Sequence, residues 1–125
     1  MMQWLAVALG GALGAMGRFG LTTWLFPVMG TRFPLGTLVA NLLGCFLVGL
    51  AFVLIVDKGV VPPEYRPFVV TGFLGALTTF STFSLDALLL WENGSLALAV
   101  TYSLVTLLGC LLAVFLSVYL ARTIF

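Results

Sequence analysis

The sequence predicts an all-α integral membrane protein built from four transmembrane helices, and three observations predict it. Of its 125 residues, 62% are hydrophobic and only 7% are charged, where a soluble domain carries roughly a quarter charged residues. The apolar residues gather in four stretches, each near the roughly 20 residues a helix needs to cross the hydrocarbon layer. Those stretches are continuously apolar, whereas the strands of a membrane barrel alternate in segments of about ten residues.

Charges and prolines mark the boundaries. The first span runs from about Trp4 to Phe26, and Pro27 and Pro34 bracket the turn after it. The second covers Leu35 to Val56 and stops at Asp57-Lys58-Gly59. A loop through Pro62, Pro63 and Glu64 leads into the third, about Phe68 to Trp91. Glu92-Asn93-Gly94 is a turn signal, and the fourth span covers about Leu96 to Ala121. One transmembrane domain therefore fills the chain from 1 to 125. A cleavable signal peptide is not expected, because the first apolar stretch lacks a basic leader and exceeds the usual signal length.

The inventory also excludes. A net charge of +1 offers no basic surface for nucleic acid. With no histidine, His-dependent triads and most zinc sites are ruled out. There is no Walker loop, no nucleophile beside a base and no carboxylate cluster for a metal, so an enzyme is not expected. Cys45 and Cys110 sit inside apolar runs and read as small, soft packing residues rather than a disulfide framework.

Lys58, Arg66 and Arg122 share one side of the membrane with both termini. Arg32 lies on the other, and Arg18 about two turns inside the first span. So weak a bias permits insertion in both orientations, which admits an antiparallel homodimer.

Against the apolar background each polar exception needs a partner or water. In the first span Gly10, Gly14 and Gly17 with Ala15 form a small-residue surface for close helix contact. Arg18, on nearly the same face as Gly14, either snorkels to the interface or lends positive potential to a vestibule. In the second span Gly36, Ala40 and Gly44 form a small-residue ridge. Thr37, Asn41 and Cys45 lie beside it at i, i+4 spacing. Asn41 is either a contact between helices or the lining of a polar path. The fourth span repeats the spacing with Tyr102, Thr106 and Cys110, a polar stripe on one face.

The third span carries the densest signal. Residues 78 to 84 read Thr-Thr-Phe-Ser-Thr-Phe-Ser, preceded by Gly72 and Gly75. Glycine and Thr are poor helix formers, and hydroxyls can replace lost backbone bonds. The pattern reads as a helix broken mid-membrane, exposing backbone groups that bind ions; the alternative is a continuous helix with hydroxyls bonded to the preceding turn. Phe80 and Phe83, three apart, point to similar sides. Their positive ring edges suit a dehydrated anion that a carboxylate would repel. Asp86, near the end of the third span, is the one acidic residue well within a span. A proton-coupled exporter should keep its acid near the midplane.

Gly10-Gly11-x-x-Gly14-Ala15-x-x-Arg18-Phe19, Gly36-Thr37-x-x-x-Asn41-x-x-Gly44, and Gly72-Phe73-x-Gly75-x-x-Thr78-Thr79-Phe80-Ser81-Thr82-Phe83-Ser84 together resemble the CrcB/Fluc fluoride channels of microbes. The likeness covers the first three spans closely and the fourth loosely. It implies an antiparallel, dual-topology homodimer in the cell (inner or plasma) membrane, with two pores that let fluoride leak out. It further implies a pore lined by Phe80, Phe83 and Asn41, with hydroxyls of Ser81, Thr82, Thr37 and, in the fourth span, Thr106; Tyr102 and Cys110 continue that stripe. Arg18 would stand at the vestibule. A structural sodium ion would bind the backbone carbonyls of Gly75 and Thr78 at the dimer axis. Neutral donors suit a small, strongly hydrated anion, since a fixed charge would bind it too tightly for exit. The rivals are a small dual-topology multidrug exporter, which should carry a glutamate in the first span, and a non-transporting scaffold, which has no use for five hydroxyls around two phenylalanines.

Overall fold

In a computed structural model, which describes residues 1–27 and 33–125, the chain forms four long apolar helices: Met2–Leu25, Leu35–Asp57, Pro63–Glu92 and Leu96–Ile124. These are the four spans expected from the apolar stretches, with the third beginning a turn earlier and the fourth ending a turn later. Arg32, which entered the orientation argument, lies outside the described residues. At the tight corners Gly59 and Gly94 take positive φ, 60° and 79°, a conformation that a Cβ disfavours.

The third span does not run straight. It opens with a 3₁₀ turn at Pro63–Tyr65 and continues as a wide π-helical stretch, Pro67–Leu74. After one α turn at Gly75–Leu77 it stops. Thr78 and Thr79 are extended, with φ, ψ of −87°, 156° and −154°, 117°, and helix restarts at Phe80–Glu92. The broken helix expected from the Thr-Thr-Phe-Ser-Thr-Phe-Ser run is thus present.

Glycine contacts set how the helices meet. A Cβ on Gly14 would overlap the Phe73 carbonyl, one on Gly10 the Phe68 carbonyl, and one on Gly72 would come to 2.8 Å from Val7 O. The first and third spans therefore touch backbone to backbone, the use expected of that glycine surface. The second and fourth spans, separated by one return crossing, run parallel. Gly49 lies against Val114 O and the Ser117 side chain, and Gly109 against the Leu42 side chain. Asp57 closes one end of this pair by accepting from Arg122 Nε at 2.7 Å. Most large apolar side chains point outward, as a lipid-facing bundle requires. The buried core divides into a cluster around Phe83, Tyr102 and Leu38 and another around Leu74, Leu77 and Ile55.

Candidate functional site: a polar seam at a broken helix

Breaking a helix inside an apolar bundle strands backbone groups that must be paired. Asn41 pairs one of them and bonds the carbonyl of the same residue. Its Nδ2 donates to the Thr79 carbonyl at 3.1 Å, and its Oδ1 accepts from the Thr79 N–H at 2.7 Å. Thr79 itself caps the restarting helix, its Oγ1 accepting from the Thr82 N–H at 3.1 Å, the usual job of an N-cap hydroxyl. From the first span Arg18 Nε donates to the Ala76 carbonyl at 3.0 Å, answering one carbonyl at the end of the first half-helix. Gly44 makes room for the break, since a Cβ there would overlap Thr78 Cγ2.

These bonds also decide which carbonyls are left over. In a continuous helix the N–H of Thr79 would serve Gly75 O and that of Thr82 would serve Thr78 O. Here the first is held by Asn41 and the second by Thr79 Oγ1. Gly75 and Thr78 thus keep carbonyl oxygens released from the ladder, and Gly75 is exposed on the surface of the single chain. The donor set fits a hard monovalent cation, which favours neutral oxygen ligands.

Beside the break lies a cavity of about 300 Å³ whose polar lining comes from Asn41, Cys45, Thr78, Thr79, Thr106 and Cys110, with Phe80 and Phe83 alongside. The parallel second and fourth spans bring their two i, i+4 stripes face to face at a constant offset, Thr37 with Tyr102, Asn41 with Thr106 and Cys45 with Cys110. The Thr106 hydroxyl is buried (5% exposed) and has no hydrogen-bond partner among the described residues. A buried donor without a partner costs about 1–3 kcal/mol, and Thr106 is one of the residues that line the cavity.

Above this level the seam continues differently. Tyr102 is fully buried and donates its hydroxyl to Asp86 Oδ2 at 3.2 Å, with the Thr37 side chain next to both. Rings connect the two levels: Phe80 to Phe83 at 5.5 Å between centroids, Phe83 to Tyr102 at 5.3 Å, and Tyr102 to Phe33 edge-on at 5.6 Å. Asp86 was legible as an outlier but not as the partner of Tyr102, because nothing local in the sequence links two helices.

The expected site residues thus divide. Asn41, Thr106, Phe80 and Phe83 meet at one cavity, with Thr37 and Tyr102 above them. Phe80 and Phe83 touch but differ in environment, Phe83 being 7% exposed and Phe80 73%. Ser81 and Thr82 turn inward on the cap: Thr79 Oγ1 lies 3.2 Å from Ser81 Oγ and donates to Thr82 Oγ1 at 3.1 Å. Neither lines the cavity. Arg18 braces the break rather than standing clear of it.

Four apolar spans, a helix interrupted in their middle and an uncharged polar seam beside the interruption define a small multi-pass membrane protein. The model of the family described as "CrcB-like protein, Camphor Resistance (CrcB)" matches residues 5–118, and the chain belongs to that family. Among its relatives is a "Fluoride-specific ion channel FluC" of Hahella chejuensis, 50% identical over 118 residues, covering 94% of this chain and 93% of that one. Relatives of the same description occur in Magnetococcus marinus, 46% identical across 98% of this chain and all of its own, and in Saccharophagus degradans, 42% identical across 98% and 91%.

Proposed function

We propose that this protein is a fluoride-selective passive channel of the cell membrane. The observation that carries the reading is the seam: Asn41 and Thr106 face each other across a cavity beside the broken helix, and the buried Thr106 hydroxyl is unpaired. Fluoride is a compact acceptor, and the wall offers it a hydroxyl, thiols and aromatic rings but no cation to trap it. The names of the relatives in three organisms support the same ion.

The working unit in this reading is an antiparallel homodimer with two pores. Its support is a face that one chain leaves open. Gly75, Phe80, Ser81 and Ser84 are exposed at the level of the break, where hydrocarbon cannot satisfy the freed Gly75 carbonyl. A second copy in the opposite orientation covers that face and brings the two breaks together. Gly75 and Thr78 carbonyls from both copies would then hold a structural sodium ion, which offsets converging carbonyl dipoles. The exporter alternative gains nothing from the site, whose nearest carboxylate, Asp86, is engaged by Tyr102.

The test is anion efflux from liposomes carrying the purified protein, followed with ion-selective electrodes. Fluoride should leave rapidly and chloride hardly at all; equal loss of both, or loss of neither, overturns the reading.

A further inference from the structure

Cys45 and Cys110 are the only cysteines of the chain. Both are free and half-buried, and both line the cavity that holds Asn41, Thr106 and Phe83. Each lies one helical turn beyond a residue of the facing Asn41–Thr106 pair, so the parallel register sets thiol opposite thiol. One turn further on, Gly49 lies against Val114 O, which keeps the same offset past the two thiols.

We infer that Cys45 and Cys110 form a two-thiol site for a soft divalent cation, and that its occupation plugs the cavity. The chemistry narrows the ion. Thiolates select soft metals, and the thiolate is the ligating form. Zinc wants four ligands in a tetrahedron, but the chain has no histidine and, among the described residues, no cluster of three or more ligating side chains. An ion content with two ligands in line is required. Charge selects further, because two thiolates leave a net negative charge with a monovalent ion and none with a divalent one. In an apolar bundle the neutral complex is strongly favoured. The mercuric ion meets all three conditions. The step is balanced and involves no redox change: two S–H bonds and the two mercury–chloride bonds break, two mercury–sulfur bonds form, and two protons and two chloride ions leave to water.

Plugging rests on the channel reading, whereas binding does not, so the experiment reads them separately. Mercuric chloride is titrated into the purified full-length chain in detergent. The sulfur-to-metal absorption band should rise to one equivalent per chain and stop. Both thiols should disappear together from maleimide labelling, and the intact mass should gain one mercury. In Cys45→Ser and Cys110→Ser the metal on the remaining thiol should be stripped by about 100-fold less glutathione, because one tether of a two-point attachment is lost. Cys45→Ala and Cys110→Ala serve the same comparison if a serine variant does not fold. Two mercuric ions per chain, a mercury-linked pair of chains, or equal stripping in wild type and variants overturns the site. In liposomes one equivalent should stop fluoride efflux. The wild type should stay blocked at the glutathione level that returns each variant to its own metal-free flux; metal bound to the wild type with its flux unchanged overturns the plugging. Liposomes with no efflux before the metal is added count against the channel reading, and the stoichiometry still decides the site.

Discussion

Asn41 holds both backbone groups of Thr79, accepting from its N–H at 2.7 Å and donating to its carbonyl at 3.1 Å. One side chain from the second span thereby takes over the N–H that Thr79 gives up at the break, while Thr79 Oγ1 takes over that of Thr82. The clamp also fixes which way the released carbonyls of Gly75 and Thr78 face, and it leaves one amide hydrogen of Asn41 for the cavity. Scaffold and lining are the same residue.

Asn41→Leu should therefore cost stability as well as transport. It keeps the volume but abandons the buried N–H of Thr79, a loss of roughly 1–3 kcal/mol. The thermal midpoint of the protein in detergent should fall, and the Thr79 amide should lose its protection from hydrogen exchange. Asn41→Asp retains the acceptor but not the donor, so it should keep the amide protected while the carbonyl is freed. Unchanged exchange at Thr79 in the leucine variant would show that the clamp does not hold the break.

Phe80 and Phe83 separate packing from permeation. Phe83 is buried against Tyr102 and Leu38, so Phe83→Ile should lose about 1–2 kcal/mol along with flux. Phe80 is 73% exposed in the single chain, so Phe80→Ile should change chain stability by less than about 0.5 kcal/mol. Its fluoride efflux should nonetheless collapse. Full efflux from Phe80→Ile would remove ring edges from the mechanism.

What was legible in the sequence follows from the range of each interaction. The four spans, the break and the two i, i+4 stripes are set by residues within a few turns of one another, and all three could be read from spacing. The facing of Thr37-Asn41-Cys45 and Tyr102-Thr106-Cys110 depends on two parallel helices settling at one offset, chosen by contacts such as Gly49 on Val114. No local pattern encodes that choice. The partners of Ser81 and Thr82 are hidden for the same reason. Their composition says polar, but only the N-cap geometry of Thr79 says that they spend their hydroxyls on the cap.

The glycines of the first span should fall into two classes. Gly14→Ala places a methyl group on the Phe73 carbonyl, in the backbone contact between first and third spans, where neither atom can move aside. It should abolish the folded protein or lower its thermal midpoint severely. Gly20→Ala meets nothing within 4 Å and, in a helix interior, should gain up to about 1 kcal/mol. Monodisperse yield and thermal midpoint measured side by side check the contrast; equal tolerance would show that the two spans are not in backbone contact.

Arg18 allows charge and bracing to be told apart. Its Nε donates to Ala76 O at 3.0 Å, on the opposite side of the break from Asn41, so the broken helix is gripped from both flanks. Arg18→Gln keeps a donor and removes the charge, whereas Arg18→Lys keeps the charge on a flexible stem that lacks the planar donor. If bracing dominates, glutamine should preserve stability better than lysine, with flux following stability. If the positive potential at the vestibule dominates, lysine should preserve fluoride efflux, and the glutamine variant should lose it while remaining as stable as wild type. The geometry favours bracing, because a guanidinium bonded to a half-helix carbonyl gives part of its potential to that dipole. The expected order of stability is therefore wild type, then glutamine, then lysine. Efflux kept by the lysine variant and lost by a glutamine variant as stable as wild type would return Arg18 to a purely electrostatic role.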